Sequence, residues 1–433
     1  MEMEQSSIFN ADALIGVVYD QFEKIIDGRV GKIEISLTDA LLSGFALFSL
    51  KDPSLLAFDQ RRKEPENLQR IYHLKQIPSD TQMRTILDEV APDELRPVYK
   101  ALWGEVDRSG LLSQMRYLPE GYILSLDGSQ YFSSYKIHCS HCLEKRQRNG
   151  ELLYSHQMLG GVIVSPEQKV VLPLFPEPIV KQDGTTKNDC ERNAAKRFVE
   201  KLRQDHPDLP LVMVEDALSS NAPHIELLQS HKIRFILGVK ESDHAHLFAQ
   251  IEQAVVKGKC HERKGKQGRY RWVKQVQLNA SNPDLLVNVL EYWETDVTGK
   301  TTHWAWVTDL TLNPKTVKRI MRAGRARWKV ENETFNTLKN QGYQFEHNFG
   351  HGQQFLSALF ATLMMLAFFV DQLQQFGCKL FQAVWHKLGS KQHLWERIRA
   401  LFFDLPFLSM TQLYQALLYG YRIEGLIILH DTG

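Results

Sequence analysis

The chain has 433 residues, which is more than one ordinary hydrophobic core accommodates, so we expect two or three domains. Its 52 lysines and arginines are balanced by 51 aspartates and glutamates, and the resulting net charge of +1 gives no overall sign of a nucleic-acid partner. Residues 1–7 are acidic and polar and form no secretory signal. The missing signal favours a cytoplasmic protein. Five cysteines in such a chain argue against a disulfide framework.

The first 115 residues are predicted to be helical. Amphipathic segments over residues 37–48 and 79–90 have capping residues where the helices begin. By itself this composition indicates a helical domain and nothing more specific.

Two apolar runs each end in an acid. The predicted strand over residues 121–127 ends at Asp127, which glycine follows, although an Asp before Gly is more often a turn former. The run over residues 211–216 ends at Asp216 and suits a strand that is covered on both faces. Alternation along this strand does not decide whether Asp216 or its neighbour Glu215 faces inward.

A group of metal-binding residue types follows the first strand. Cys139 and Cys142 have CxxC spacing, His138 directly precedes them, His156 lies downstream and Cys190 lies further on. Three cysteines and one histidine match the four ligands of a tetrahedral structural zinc site. We therefore expect a candidate zinc site from Cys139, Cys142 and Cys190 with His156 or His138, the alternative being an incidental pair of reduced cysteines.

The middle of the chain is predicted to alternate between strands and helices. In order, the predicted elements are strands over 158–164 and 170–175, a helix over 187–204, a helix over 223–230 and a strand over 234–239. From residue 257 to residue 311 the pattern changes to short alternating strands, which indicates an inserted β subdomain. Trp293, Trp304 and Trp306 of this insertion could take up an unstacked base, although core packing is the commoner role.

Two basic runs lie in the second half of the chain. Residues 315–329 carry seven basic residues and no acid: Lys315, Lys318, Arg319, Arg322, Arg325, Arg327 and Lys329. Residues 257–274 carry eight basic residues, Lys266 among them, against the single acid Glu262. Charge runs are most often solvated faces, but two runs near candidate acids favour contact with a phosphate backbone.

A predicted helix over residues 327–339 supplies the third acid. Glu331 and Glu333 lie two positions apart, so they point to nearly opposite faces. Glu331 falls within the apolar stripe and Glu333 falls outside it; the stripe is formed by Trp328, Phe335 and Leu338. An acid on a packed face requires compensation by a metal or by Arg327, one turn earlier, unless the pair is an ordinary surface ion pair.

Asp127, Asp216 and Glu331 together would bring three carboxylates from separate elements. Magnesium prefers carboxylate oxygens, and two such ions can stabilise the entering and leaving oxygens of a phosphoryl transfer. The sequence therefore predicts a two-magnesium site that cuts phosphodiesters, with Mn²⁺ as a substitute ion.

From about residue 127 to residue 351 the chain resembles the DDE transposases of bacterial insertion sequences, in particular the insertion-sequence-4-like branch. That branch has Asp on two strands and a helix reading Tyr, two residues, Arg, three residues, Glu, six residues, Lys. Arg327 and Glu331 keep the Arg-to-Glu spacing, Gly324 stands at the tyrosine position, and Lys339 follows the lysine position, Leu338, by one residue. The resemblance favours Asp216 over Glu215.

The element order and the resemblance together predict an α/β fold with a ribonuclease-H-like core. The expected divisions are an N-terminal helical domain that binds the DNA ends (1–115), the first part of the core (116–256), the β insertion (257–311), the catalytic helix of the core (312–352) and C-terminal helices (353–433). The apolar stretch over 355–370 is too short for a membrane span and is predicted to be a buried helix.

The resemblance implies a transposase that nicks the ends of its element and joins the freed 3′-hydroxyls to target DNA. Implied partners are double-stranded DNA with terminal inverted repeats, target DNA and a second copy of the chain, in the bacterial nucleoid and without a membrane. Candidate DNA-binding residues are Arg322, Arg325, Arg327, Lys329, Lys339, Trp293 and Trp304. The alternatives are a nuclease without strand transfer and a domesticated DNA-binding protein.

Overall fold

A computed structural model describes residues 8–181, 190–265 and 268–421 of the protein. Four parts of the sequence predictions lie outside these residues: the opening segment 1–7, the first residues of the helix predicted from residue 187, Lys266 of the second basic run, and residues 422–433 of the C-terminal region.

Eleven strands of the described residues form one sheet. They are β1 Tyr122–Ser134, β2 Leu143–Arg146, β3 Leu152–Val164, β4 Leu172–Pro173, β5 Glu177–Ile179, β6 Leu211–Glu215, β7 Arg234–Gly238, β8 His261–Lys264, β9 Gly268–Gln277, β10 Leu286–Thr295 and β11 Thr301–Thr308. The order across the sheet is β2-β3-β1-β6-β7-β11-β10-β9-β8, and β4 and β5 also pair with β3.

The α-helices lie in three groups along the chain. Before the sheet come α1 Ala11–Phe22, α2 Leu37–Ser49, α3 Leu55–Arg61, α4 Glu66–Ile71, α5 Asp80–Leu87 and α6 Arg96–Arg108. Between strands come α7 Glu191–Asp205, α8 Ala222–Ser230 and α9 Ala245–Val256. After the sheet come α10 Val317–Arg325, the π-helix Val330–Phe335, α11 Asn336–Asn340, α12 Leu356–Gly377, α13 Lys379–Leu388, α14 Lys391–Asp404 and α15 Met410–Tyr419.

The core of the sheet combines antiparallel and parallel pairing. Strand β1 is antiparallel to β3 and parallel to β6, and β6 is parallel to β7. Helix α7 leads into β6, and α8 connects β6 to β7, as parallel strands require a crossover. Three early strands followed by alternating helix and strand form a ribonuclease-H-like core, so the predicted fold class is confirmed.

The predicted strands of the insertion are present, and they extend the core sheet. Strand β11 pairs antiparallel with β7, and β10, β9 and β8 continue outward from it. Without β11, β7 would have an open edge whose backbone N–H and C=O groups lack partners. The insertion therefore covers an edge of the core as well as separating β7 from α10 in sequence.

The first and last helices share one hydrophobic core. Helix α2 packs on α12, where the rings of Phe48 and Phe360 lie 5.7 Å apart. Helix α12 continues to Gly377, beyond the predicted apolar stretch, and is therefore long and apolar enough to cross a membrane, contrary to the expected length. It is buried inside the protein, as predicted. The Asp88 carboxylate accepts the backbone N–H groups at the start of this helix, those of Gln353 to Leu356, at 2.7 to 3.1 Å.

Candidate active site

Strand register brings Asp127 and Asp216 to the same level of the sheet. In the parallel pair β1 and β6, Tyr122 lies opposite Leu211 and Ser125 lies opposite Val214. Continuing that register by two residues on each strand places Asp127 beside Asp216. The two carboxylates therefore lie side by side. The prediction that a strand ends at Asp127 was wrong, because β1 continues to Ser134, whereas β6 does end directly before Asp216.

Asp127 is held against the helical segment that follows α10. The Ser125 hydroxyl donates to the backbone oxygen of Arg327 at 3.0 Å, and the Arg327 guanidinium lies 3.5 Å from Oδ2 of Asp127. Burial raises the pKa of Asp127; the Arg327 charge opposes this, and the carboxylates of Glu331 and Asp216 raise it further. Three acids are thus close enough to influence one another.

The two acids at the end of β6 have different environments. Glu215 is buried, and its Oε1 accepts from the Ser219 hydroxyl at 3.0 Å while its Oε2 lies 2.6 Å from Nε2 of His224. Asp216 is exposed, and its carboxylate caps the short 3₁₀ turn after β6 by accepting the N–H of Leu218 at 2.9 Å. Alternation alone left this choice open; the contacts give Glu215 structural partners and leave Asp216 facing the cleft.

Glu331 and Glu333 also face different surroundings. The charge of Glu331 contributes to the raised pKa of Asp127. Burial lowers the pKa of Lys329 and of Lys391, and the charge of Glu333 opposes that lowering. Glu331 therefore lies on the Asp127 side and Glu333 on the side of the two lysines. The burial predicted for the two acids was wrong, because Glu331 is exposed and Glu333 is half-buried.

Two residues assigned to the predicted apolar stripe are exposed. Trp328 is 56% exposed, and Glu331 itself is exposed rather than packed. The reason is local winding: the helix is interrupted at residues 326–327 and continues as a π-helix, so a constant 100° per residue does not apply. The packed side of this segment carries Val330, Thr334, Phe335 and Leu338.

A glycine on β3 lets this helical segment pack closely against the sheet. Gly160 is the antiparallel partner of Asp127, and a Cβ atom at Gly160 would lie 2.8 Å from Cζ of Phe335. Any side chain there would displace the Phe335 ring. Phe335 lies one turn after Glu331. The absence of a side chain at Gly160 therefore sets how closely this helical segment approaches the sheet beside Asp127.

Glu191 is a fourth acid at this place, and the sequence analysis did not identify it. It is the first residue of α7, and its carboxylate fills the space beside Gly128, where a Cβ would lie 2.4 Å from Oε1. Burial and then the charges of Asp127 and Asp216 raise its pKa. No sequence signal distinguished it, since the helix was predicted to begin at residue 187.

Asp127, Asp216 and Glu191 line an open cleft of about 620 Å³, together with Cys190 and Lys145. The carboxylates of Asp127, Asp216 and Glu331 do not gather within 4.8 Å of one another. Hard oxygen donors on separate rigid elements fit a divalent cation. Two ions do not require all ligands to meet at one point.

The Cys/His group forms a tighter cluster, with one ligand different from our prediction. Ligand atoms of Cys139, Cys142, His156 and His351 all lie within 4.8 Å of one another. Cys190 was a wrong choice: it is exposed and lines the acidic cleft at the start of α7. His351 is brought in from 195 residues beyond His156 by the chain that precedes α12, a proximity that no local spacing reveals.

His138, the other histidine considered, is also outside the cluster. It is exposed and stacks on Tyr154, with ring centroids 4.3 Å apart.

Helix α10 presents the first basic run to the surface. Its buried side is apolar, and Arg322 and Arg325 lie outward, 3.5 Å from Glu167 and 2.9 Å from Glu294 respectively. Lys329 donates to the carbonyl of Gln168. The structure therefore brings Arg322, Arg325 and Lys329 together along one shallow pocket of about 410 Å³.

The tryptophans of the insertion differ in accessibility. Trp293 is half-buried, stacks on His303 with ring centroids 4.5 Å apart, and has the Arg269 guanidinium 4.2 Å from its ring. Trp304 is also half-buried and lies under the Arg325 guanidinium at 4.6 Å. Trp306 is buried, which agrees with the packing role considered for it.

Trp306 also explains the glycine at the family's tyrosine position. A Cβ at Gly324 would lie 2.7 Å from Nε1 of Trp306, so the indole occupies the space that a side chain would need.

The shifted lysine has a geometric explanation. Leu338, at the expected lysine position, is fully buried, and Lys339 is partly exposed with its ammonium 2.9 Å from Glu346. A π-helix takes in one extra residue per turn, so the residue eight positions after Glu331 returns to the side where the seventh would lie in a regular α-helix.

The sheet order and the acid-lined cleft define a ribonuclease-H-like catalytic core. The chain matches the family described as "Transposase DDE domain" over residues 145–369, more than half of its length, and it belongs to this DDE transposase family. The matched range contains Asp216, Glu331 and His351 and begins after Asp127. The protein is therefore a DNA-cleaving and DNA-transesterifying enzyme, and the predicted enzyme class is confirmed.

Among solved structures, the chain is similar to a piggyBac transposase in a synaptic complex with hairpin DNA, determined by cryo-EM. The identity is 10% and the TM-score is 0.42, with 99% of this chain and 87% of that chain covered. The chain matches no curated protein.

Proposed function

We propose that this protein is the transposase of a bacterial insertion sequence of the insertion-sequence-4-like branch. It nicks the ends of its element and joins the freed 3′-hydroxyls to target DNA. The observation that carries this proposal is the parallel register of β1 and β6, which sets Asp127 beside Asp216 in a cleft that Glu331 also approaches.

Asp127, Asp216 and Glu331 are the residues that would hold two magnesium ions. Bound there, the ions would stabilise charge on the entering and the leaving oxygen of the phosphoryl transfer. The chain itself supplies rigidity: two neighbouring strands and the Phe335 contact on Gly160 fix the three acids relative to one another. Glu191 adds a carboxylate to the same cleft and would attract cation there.

Arg327 would bind a phosphate next to the cut. Its main chain is tied to β1 through Ser125, so its guanidinium is positioned at the acids before DNA arrives. An arginine fork suits phosphate oxygens. Trp328, exposed directly beside it, offers a ring on which an unpaired base at the cleaved end can stack.

The basic surface would carry the rest of the DNA. Arg322, Arg325 and Lys329 border one pocket, and strand β8 exposes Arg263 and Lys264 on the insertion. These groups neutralise phosphates without reading sequence. The helical domain over residues 1–115 would recognise the terminal inverted repeats, two copies of the chain would hold the two ends, and the protein would act in the bacterial nucleoid.

The test is incubation of the protein with DNA carrying the inverted repeats that flank its gene, with Mg²⁺ or Mn²⁺, followed by mapping of nicks and of joined products. Nicks at the element ends and joining to a target plasmid are the expected result. Nicks without joining would make the protein a nuclease of this fold, and binding without nicks would make it a domesticated DNA-binding protein.

A further inference from the structure

The Cys/His cluster lies apart from the acidic cleft and joins three distant segments. Cys139 and Cys142 lie on the loop between β1 and β2, His156 lies on β3, and His351 lies on the loop before α12. The four side chains are buried or half-buried, and Phe132 packs against both histidine rings, at 5.8 Å from His156 and 4.6 Å from His351. Three of the four ligands, Cys142, His156 and His351, are thereby shielded from solvent.

The distances between the donor atoms are those of a tetrahedral site. The two sulfurs are 3.9 Å apart, and the two Nε2 atoms are 3.1 Å apart. Three of the four sulfur-to-nitrogen distances are 3.6, 3.3 and 3.2 Å, and the fourth, from Cys139 to His351, is within 4.8 Å. A zinc ion with its usual bond lengths would give tetrahedral edges of about 3.8 Å between sulfurs, about 3.6 Å from sulfur to nitrogen and about 3.3 Å between nitrogens.

The orientation of His351 points to the same use. Its Nδ1 lies 2.8 Å from the backbone oxygen of Gly352, so Nδ1 carries the proton and donates it. In a neutral imidazole Nε2 then has a free lone pair, and this atom faces the two sulfurs and His156. A carbonyl that holds the far nitrogen of a ligating histidine is the usual second contact in metal sites.

We propose that Cys139, Cys142, His156 and His351 hold a structural zinc ion. Two thiolates and two imidazoles in tetrahedral arrangement suit zinc, and four protein ligands leave no open position for a substrate. The ion ties the loop after β1 to β3 and to the chain that follows the helix carrying Glu331.

A series of aromatic contacts connects the zinc ligands to the candidate catalytic helix. The His156 ring stacks on Tyr131, with centroids 6.1 Å apart, Tyr131 contacts Phe345 at 5.6 Å, and Phe345 stacks on Phe335 at 6.0 Å. Phe335 is the residue that seats this helix on Gly160. The zinc ligands are therefore positioning residues for Glu331, and they do not touch the reacting atoms.

The first measurement is elemental analysis of the full chain, purified without chelators and without a polyhistidine tag. About one zinc per chain is expected. Absence of zinc, or iron in its place, would overturn the proposal. Replacement of the metal by Co²⁺ supplies a second readout that needs no variant: a tetrahedral site with thiolate ligands should give intense visible absorption, and its absence would contradict the site.

Variants test the ligand set. His351→Ala and Cys142→Ser should lose the zinc and melt at a lower temperature, because binding free energy at a structural site is largely folding free energy. The matched controls are Cys190→Ser and His138→Ala, which change the same residue types nearby and should keep one zinc per chain. Loss of zinc in Cys190→Ser together with its retention in His351→Ala would overturn the assignment.

The proposal of an acidic active site and the proposal of a structural zinc can be refuted independently of each other. Glu331→Ala should be inactive on DNA and still hold one zinc, while a chain without zinc would leave the acidic-site proposal standing. Should His351→Ala fail to fold, the zinc content of the unchanged protein and its cobalt spectrum still decide the question.

Discussion

The acidic cleft and the Cys/His cluster both use strands β1 and β3, yet their polar groups are arranged in opposite ways. The cleft is open, and its acids stand apart; burial and the charges of Glu331 and Asp216 raise the pKa of Asp127. The cluster is enclosed by aromatic rings, and its donor atoms already lie at bonding geometry for one ion. An open set of acids can exchange metal and substrate, whereas a closed set of sulfur and nitrogen serves stability.

The largest effect that would separate the two sites is expected at Glu331. Glu331→Ala should lower DNA cleavage by more than about 100-fold, since even partners outside the ligand shell of a metal cost about 10–100-fold. Glu333→Ala, on the other side of the same helix, should cleave normally. Cleavage rates on end DNA measure both; the reverse result would overturn the assignment of the helix faces.

A smaller effect is expected at Trp328, which is exposed next to Arg327 in the chain. Trp328→Ala should weaken binding of end DNA with an unpaired base by about 5–150-fold, corresponding to about 1–3 kcal/mol for one stacked base. The melting temperature should stay unchanged, because the ring is 56% exposed.

Trp328→Phe supplies the control for that experiment, and binding measured by fluorescence anisotropy should be largely retained in it. Equal binding of unpaired and fully paired ends by Trp328→Ala and the unchanged protein would contradict base stacking.

Replacing Glu215 tests whether this buried acid beside the cleft stabilises the fold through its contact with His224. Burial lowers the pKa of His224, but the Glu215 carboxylate outweighs it, and the pKa is raised above its ordinary value of about 6.5. The stabilisation is fully present below about pH 6.5 and decreases as pH rises through the raised pKa. Melting temperature against pH should show this decline, and Glu215→Gln should remove it.

Glu226→Gln is the control for the pH experiment, since Glu226 is exposed on the same helix as His224. It should keep the pH dependence of the unchanged protein. A decline that survives in Glu215→Gln would show that another group titrates.

The smallest effect is expected at Arg327. Arg327→Ala should reduce the salt dependence of end-DNA binding by about one unit of slope, similarly for different flanking sequences. Arg327→Lys keeps the charge and should keep the slope. Binding titrations over a range of salt measure this, and a loss confined to one flanking sequence would indicate base reading instead.

The sequence by itself determined the features that depend on local pattern. Apolar runs ending in an acid located Asp127 on β1 and Asp216 directly after β6. Alternation located the strands of the insertion, because side chains on a strand repeat every two residues. The Arg327 to Glu331 spacing and the CxxC spacing likewise required only neighbouring residues.

Only the tertiary structure decided features that depend on winding or on contacts between distant segments. The π-helix exposed Trp328 and shifted Lys339, which a constant helical period cannot show. His351 replaced Cys190 in the cluster, and Glu191 joined the acids, because long-range packing of α7 and of the chain before α12 set their positions. Sequence spacing determines which face of an element a residue occupies. The packing of whole elements determines which other residues that face contacts.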